Sequence, residues 1–443
     1  MQTLARHRIA SLTFSLLCSL LPAAMLHAAE EKEPTTIAQA LQASAQQHRP
    51  VLVDFQAVWC YSCYYMASHV LGGADWDEVK RKAIVVEADA DSPDGQLWMK
   101  KLKVSFLPSY IVLDANGNEL GRVTAEQPRE KFYPQINAVL ATGNTLDSLK
   151  INAAKGSVDA VAGVLEAFQA RDEGDAGQAW FASLPPALQQ RAHQQGRVTL
   201  ALDQLALAKS VEAADNRGII EHAQKVLSQD VGCLRPYVLD HLLEASSKLP
   251  EAQRKAVLAP QRQTFDHYLD SQVLVTKPAC ADQRSAVVAS ADLDKALGDA
   301  TGEASVLDRA IQLTRQRLGN QLASDRNLAD NLRAYLVRAG RAGELDDYQR
   351  KLIAAYPNDY VYAYRYGRSL VDAGKPADAL PYLAQAADKA YGANRLAVAL
   401  QQVKALKALH RVDDAKKIAG DVLETNGPWF PKQAAALKAA VNA

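Results

Sequence analysis

Two cysteines at C-x-x-C spacing, Cys60 and Cys63, stand in the run Trp59-Cys60-Tyr61-Ser62-Cys63, directly after the apolar stretch Val51-Leu52-Val53-Asp54-Phe55. A dithiol at this spacing closes to a disulfide and reopens, storing and releasing two electrons. The attacking species is a thiolate, so one sulfur must ionise near neutral pH. A helix opening at the cysteines would meet that need, because unpaired N–H groups and the macrodipole favour negative charge at a helix N-terminus. Cys60, at the helix start, is the expected exposed nucleophile. Cys63, one turn inside, is expected to resolve the mixed disulfide. A lone C-x-x-C also occurs in zinc sites, so the elements around it must decide.

Those elements alternate. The sequence predicts a short helix over 36–47, a buried strand at Val51–Phe55 and a helix over 61–71. A second strand, Ala83–Ala88, a helix over 94–102 and a third strand, Tyr110–Leu113, follow. The turn Asp114-Ala115-Asn116-Gly117-Asn118 leads into Glu119–Val123, an Asn-Gly hairpin signal between two apolar runs. A helix over 128–140 closes the segment. Strands alternating with helices and ending in a hairpin argue for an α/β or α+β sandwich of about 105 residues.

This segment resembles a thioredoxin-fold domain of the kind found in periplasmic disulfide-exchange proteins. Three elements carry the likeness: WCxxC between strand and helix, Asp54 six residues before Cys60, and Leu107-Pro108 before the third strand. The resemblance implies that Asp54 is a buried proton acceptor for Cys63. It also implies that Pro108 is a cis-proline holding an extended substrate backbone beside Cys60, with Leu107 and Trp59 completing a substrate-binding rim. Several residues depart from the thioredoxin pattern. Tyr61-Ser62 replaces Gly-Pro between the cysteines, Tyr64 and Tyr65 follow where thioredoxin begins with a lysine, and Glu87 falls about where thioredoxin has a lysine. An acid at that place would raise the pKa of Asp54 and work against thiolate formation.

Met66 and His69, on the same predicted helix, read as a core methionine and a solvent-facing histidine rather than as ligands of a Cu(I) site. Trp76 and Trp98 read as packing residues. No metal and no cofactor is implied, since the sulfur pair carries the electrons itself.

Residues 1–29 carry Arg6 and Arg8, an apolar run from Ile9 to Leu21 and small residues at Ala28 and Ala29. That order reads as a cleaved signal peptide and implies export to the periplasm. Its apolar part falls short of the roughly 20 residues that span a bilayer, so no membrane span is expected in the mature chain. Basic and acidic residues number 50 each, which excludes neither fold nor enzyme but argues against nucleic acid as a partner. Without residues 1–29, and with them Cys18, four cysteines remain, an even number that suits two pairs.

A thioredoxin-like domain is assigned to 30–145. Beyond it the strand patterns vanish and alanine and leucine recur at helical spacing. Within Ala363–Ala386, the positions Gly367, Leu370, Ala379, Leu383 and Ala386 resemble those of a tetratricopeptide repeat. Ala373-Gly374-Lys375 echoes Ala339-Gly340-Arg341, Asp378-Ala379 echoes Asp414-Ala415, and Pro357 ends the preceding unit. Three helical hairpins are expected from about 325 to 425, within a repeat region 325–443, with 146–324 a helical region that admits degenerate repeats. Cys233 and Cys280 are expected to form a structural disulfide.

The composite is an α/β thioredoxin-like domain followed by an all-α, helical-repeat domain. It is expected to act as an exported thiol–disulfide oxidoreductase on client proteins bearing cysteines or disulfides, served by a redox partner protein, with the helical region binding the partner. The rival is an interaction scaffold whose thioredoxin-like module is redox-silent; such a module has no need of Cys60, Cys63 and Asp54 together.

Overall fold

Val51, Val53 and Phe55 alternate with Leu52 and Asp54, and a period of two sends them to opposite faces of a strand. In the computed structural model, which describes residues 33–142 and 145–442, this strand is β1, Val51–Gln56, inside a four-stranded sheet of order β2-β1-β3-β4. The signal-peptide reading and Cys18 fall outside the described residues. Strand β2, Ile84–Asp89, runs parallel to β1, while β3, Ser109–Leu113, and β4, Glu119–Thr124, are antiparallel neighbours joined through the Asn-Gly turn.

Helices cover both faces. Val51, Val53 and Phe55 pack with Ile37 of α1, Ile37–Gln47, and with Leu102 of α4, Pro93–Leu102. Leu52 and Tyr110 pack on the other face with Met66, Val79 of α3, Gly73–Lys82, and Phe132 of α5, Arg129–Thr142. The sequence reading left out α3. Its segment holds two glycines and offers only Trp76 and Val79 as large apolar residues, too few to mark a helical face. Thr36 caps α1 and Ser92 caps α4 through their hydroxyls, which fixes where both helices begin.

From residue 146 onward the described chain is helical. The helices Arg326–Arg338 and Ala342–Ala355, Val361–Asp372 and Pro376–Ala387, and Gly392–Ala408 and Val412–Asn426 form three hairpins, with the helix Pro431–Asn442 behind them. Each hairpin turns on one residue of positive φ: Gly340, Gly374 and, in the third, His410. Residues from Pro34 onward form one compact unit, so the sheet and the helices pack against each other.

Gly367 shows why small residues recur at fixed offsets. A Cβ there would stand 2.8 Å from Cδ2 and Cγ of Leu383 in the facing helix. Gly367→Val should therefore destabilise the protein by about 2 kcal/mol through overpacking. Denaturant unfolding of the full chain measures this.

Candidate redox site

β1 ends at Gln56, and the turn Ala57-Val58-Trp59 delivers Cys60 to the N-cap of α2, Tyr61–Tyr65. The Cys63 N–H donates to Cys60 Sγ at 3.1 Å, and the two sulfurs are joined in a disulfide. The helix then widens into a π-turn over Met66–Val70 instead of continuing as α-helix to 71. The sulfurs lie among Ala57, Ala90, Met99 and Leu107, and the Leu107–Pro108 peptide bond is cis.

Cys60 was expected to be exposed. It is 4% exposed, and Cys63 6%. Its neighbours Ala57, Ala90, Met99 and Leu107 enclose it, and the helical region holds the redox turn on both sides of Cys60. Arg365 donates from Nη2 to the Trp59 carbonyl at 3.0 Å, and Asn327 donates from Nδ2 to the Tyr61 carbonyl at 3.1 Å. The Arg284 guanidinium lies 4.2 Å from the Tyr61 ring centroid, and the Tyr61 hydroxyl meets the Ser285 hydroxyl at 3.0 Å. Arg326 stacks 4.2 Å over Tyr64, and His69 pairs with Asp325 at 2.8 Å. Tyr61 and Tyr64, departures from the thioredoxin pattern, are thus the surfaces on which the helices rest.

Asp330, fully buried, ties these cations together. Arg284 bonds its Oδ2 at 2.9 Å, Arg333 bonds Oδ1 at 3.0 Å, and Arg365 pairs with Oδ1 as well. Burial alone would push this carboxyl upward, but the three guanidiniums outweigh it and hold it well below the usual carboxylate range. Asn331 donates from Nδ2 to Asn327 Oδ1 at 3.2 Å, which engages that oxygen and leaves the Asn327 amide N–H₂ to reach Tyr61.

Two other buried acids behave oppositely. Asp54 is in register with Glu87 on β2 and Tyr110 on β3, and its Oδ1 has no hydrogen-bond partner. Burial, with the Glu87 charge adding, pushes its pKa up to about 8. Glu126, just beyond β4, is 7% exposed, with neither carboxylate oxygen in a well-formed hydrogen bond. Burial first and then Asp282 push it well above the carboxylate range, against weaker pulls from Ser62 and Arg284. Both acids are thus pushed toward their protonated forms, Asp54 far enough to keep its proton in most molecules at neutral pH.

Of the residues singled out in the sequence, Cys60, Cys63, Leu107 and Pro108 come together, with Asp54 on the β1 face that packs beneath α2 and the π-turn. Trp59 is 39% exposed and donates from Nε1 to Asp91 at 2.6 Å. Cys233 and Cys280 are joined in a disulfide in the helical region, with Lys131 of α5 at 3.6 Å from Cys233 Sγ. Met66 is a core residue. Sequence reasoning missed Glu126, Asn327, Asp330, Arg284 and Arg365. The surplus of tyrosines beside the cysteines was the one available signal. Among the described residues no cluster of three or more metal-ligating side chains occurs, and no described helix is long and apolar enough to cross a membrane.

Residues 32–115 match a family described as thioredoxin-like. The chain is 28% identical over 120 residues to a thiol:disulfide interchange protein DsbD of Ralstonia nicotianae, covering 26% of this chain and 20% of that protein. It is 27% identical over 110 residues to the thioredoxin-like protein HCF164, chloroplastic, of Arabidopsis thaliana, covering 25% of this chain and 41% of that one. A thioredoxin from Thermus thermophilus of known structure is 24% identical over 25% of this chain and 87% of its own, with a TM-score of 0.23. The match covers 20% and 41% of the length of these two curated relatives, and the matched segment is a thioredoxin-like domain carrying the Cys60–Cys63 pair.

The raised Asp54 pKa fixes a pH dependence. Between its ordinary value of 3.8 and about 8, the native state keeps a proton that the unfolded chain releases, so stability falls as pH rises through that window. Asp54→Asn should remove this loss, stabilising the protein by about 5 kcal/mol at pH 8 and by little near pH 4. Thermal melts at the two pH values measure the difference.

Proposed function

We propose that this chain is an exported thiol–disulfide oxidoreductase that exchanges disulfides with client proteins through Cys60 and Cys63. The observation that carries the reading is the Cys60–Cys63 disulfide at the start of α2, beside the cis Leu107–Pro108 peptide and above the buried Asp54. The names of the relatives, thiol:disulfide interchange proteins among them, point the same way.

In the reducing direction the Cys60 thiolate attacks one sulfur of a client disulfide, whose S–S bond breaks and whose other sulfur leaves as a thiolate. In the fraction of molecules whose Asp54 is ionised, Cys63 loses its proton to that carboxylate and attacks Cys60 Sγ, which closes the Cys60–Cys63 disulfide and frees the second client thiolate. The client gains two electrons and the pair gives up two. Oxidation of a client dithiol runs through the same steps backwards. A separate redox protein would restore the pair after each turn. With a raised pKa, Asp54 is suited to both giving and taking that proton. Trp59, Leu107 and Pro108 would hold the client backbone.

Two disulfides favour an oxidising compartment, in line with a signal peptide at 1–29 and a periplasmic location. The helical region, read as tetratricopeptide-like from 325 onward, would hold the client beside the redox turn. Its helices contact residues 59, 61 and 64, so a protein reaching Cys60 meets them too. The burial of Cys60 favours a second reading, a scaffold whose disulfide stays closed.

Trapping separates the two. A Cys63→Ala variant should accumulate mixed disulfides with clients through Cys60, identifiable by mass spectrometry. If it traps nothing, and the intact protein neither reduces insulin nor oxidises a reduced peptide, the scaffold reading stands. Titration against glutathione then gives the direction, a potential of about −120 mV marking an oxidant and about −270 mV a reductant.

A further inference from the structure

Cys60 lies between two peptide groups that the helical region grips, and the grip on one side is cationic. The Arg365 guanidinium reaches the carbonyl of the residue just before Cys60, and the Arg284 guanidinium covers the ring of the residue just after it. Both cations are anchored on the one buried carboxylate of Asp330, which they share with Arg333. Three guanidiniums against one carboxylate leave net positive charge behind the redox turn. We infer that Arg365 and Arg284 are positioning residues for the exchange reaction: through the Trp59 carbonyl and the Tyr61 ring they hold the redox turn, and their charge stabilises the Cys60 thiolate once the disulfide opens.

The other charged groups around the turn are engaged by hydrogen bonds or ion pairs, and the carboxylates of Asp282, Asp91 and Glu87 oppose the cations only in part. Burial pushes both Asp54, beside Glu87, and Glu126 toward their protonated forms, which lessens the negative charge they add. Asp282 caps the helix Gln283–Leu297 and accepts from Tyr237, Arg326 pairs with Asp359, and His69 pairs with Asp325. Asp91 is engaged by Trp59. A thiolate at Cys60 therefore forms in a place shielded from water, where nearby cations act at low effective dielectric.

A lower thiol pKa stabilises the reduced form and makes the disulfide easier to reduce. Glutathione reads this without any client. Oxidised glutathione and the two cysteine thiols convert to the Cys60–Cys63 disulfide and two molecules of reduced glutathione, so the equilibrium constant measures the balance directly. The inference rests on the oxidoreductase reading, yet the two fail separately: absent client adducts would overturn the reading, whereas the glutathione equilibrium tests only the cations.

The test uses the full chain carrying Arg365→Gln or Arg284→Gln. Each variant leaves two guanidiniums on Asp330, and either one suffices if the other does not fold. The midpoint of the pH profile for alkylation of reduced Cys60 by iodoacetamide should rise by about one unit. The glutathione equilibrium should shift about threefold to tenfold toward the disulfide. Arg365→Lys, which keeps the charge, should restore most of the midpoint. A folded glutamine variant with the midpoint and equilibrium of the parent protein would overturn the inference.

Discussion

A carboxylate with no access to water needs cations, and Asp330 collects three of them. Burying charges in this way is expensive and is repaid only when every partner is in place. Removal of one partner from such a cluster costs about 3–5 kcal/mol, because the remaining charge is left uncompensated. The cluster therefore fixes three separate helices at one point. From there, two of its arginines and the neighbouring Asn327 reach the redox turn. Asn327 and Arg326 lie three and four positions before Asp330 on one helix, the spacings that place each of them beside Asp330 on the helix surface. That helix carries both the anchor and the contacts it supports.

Beneath the cysteines the electrostatics are reversed. Asp54 and Glu126 are buried without an adjoining cation strong enough to offset that burial, so both are pushed toward their protonated forms. The redox pair thus sits between carboxyl groups with raised pKa values on the sheet side and arginines on the helical side. This arrangement explains how Glu87, an acid where thioredoxin has a lysine, is compatible with exchange: it raises Asp54, and the arginines of the helical region supply the positive charge that the lysine does not.

The sheet and the local site were legible because they are written in short-range pattern. The alternation Val51-Leu52-Val53, the Asn-Gly turn and the WCxxC before a helix each act over a few residues. The π-turn at Met66–Val70 was not legible, since its residues read as helix and only the backbone shows the wider turn. The grip on the redox turn was beyond sequence reading for a different reason. Arg365 and Trp59 are 306 positions apart, and Asn327 and Tyr61 266. No periodicity connects such residues, and a buried Asp330 looks like any surface acid of a polar helix. The burial of Cys60 was illegible for a related reason: Ala90, Met99 and Leu107, which pack on it, come from separate elements 30 to 47 positions later.

The central claim is that the Asp330 cluster holds the redox turn in place. Hydrogen exchange of the Asp330→Asn protein tests it most directly, because amide protection reports each segment separately. The account predicts that protection falls not only in the helix Arg326–Arg338 but also across residues 59–66, on a part of the chain that Asp330 does not touch. Loss of protection confined to 326–338, with residues 59–66 unchanged, would contradict it.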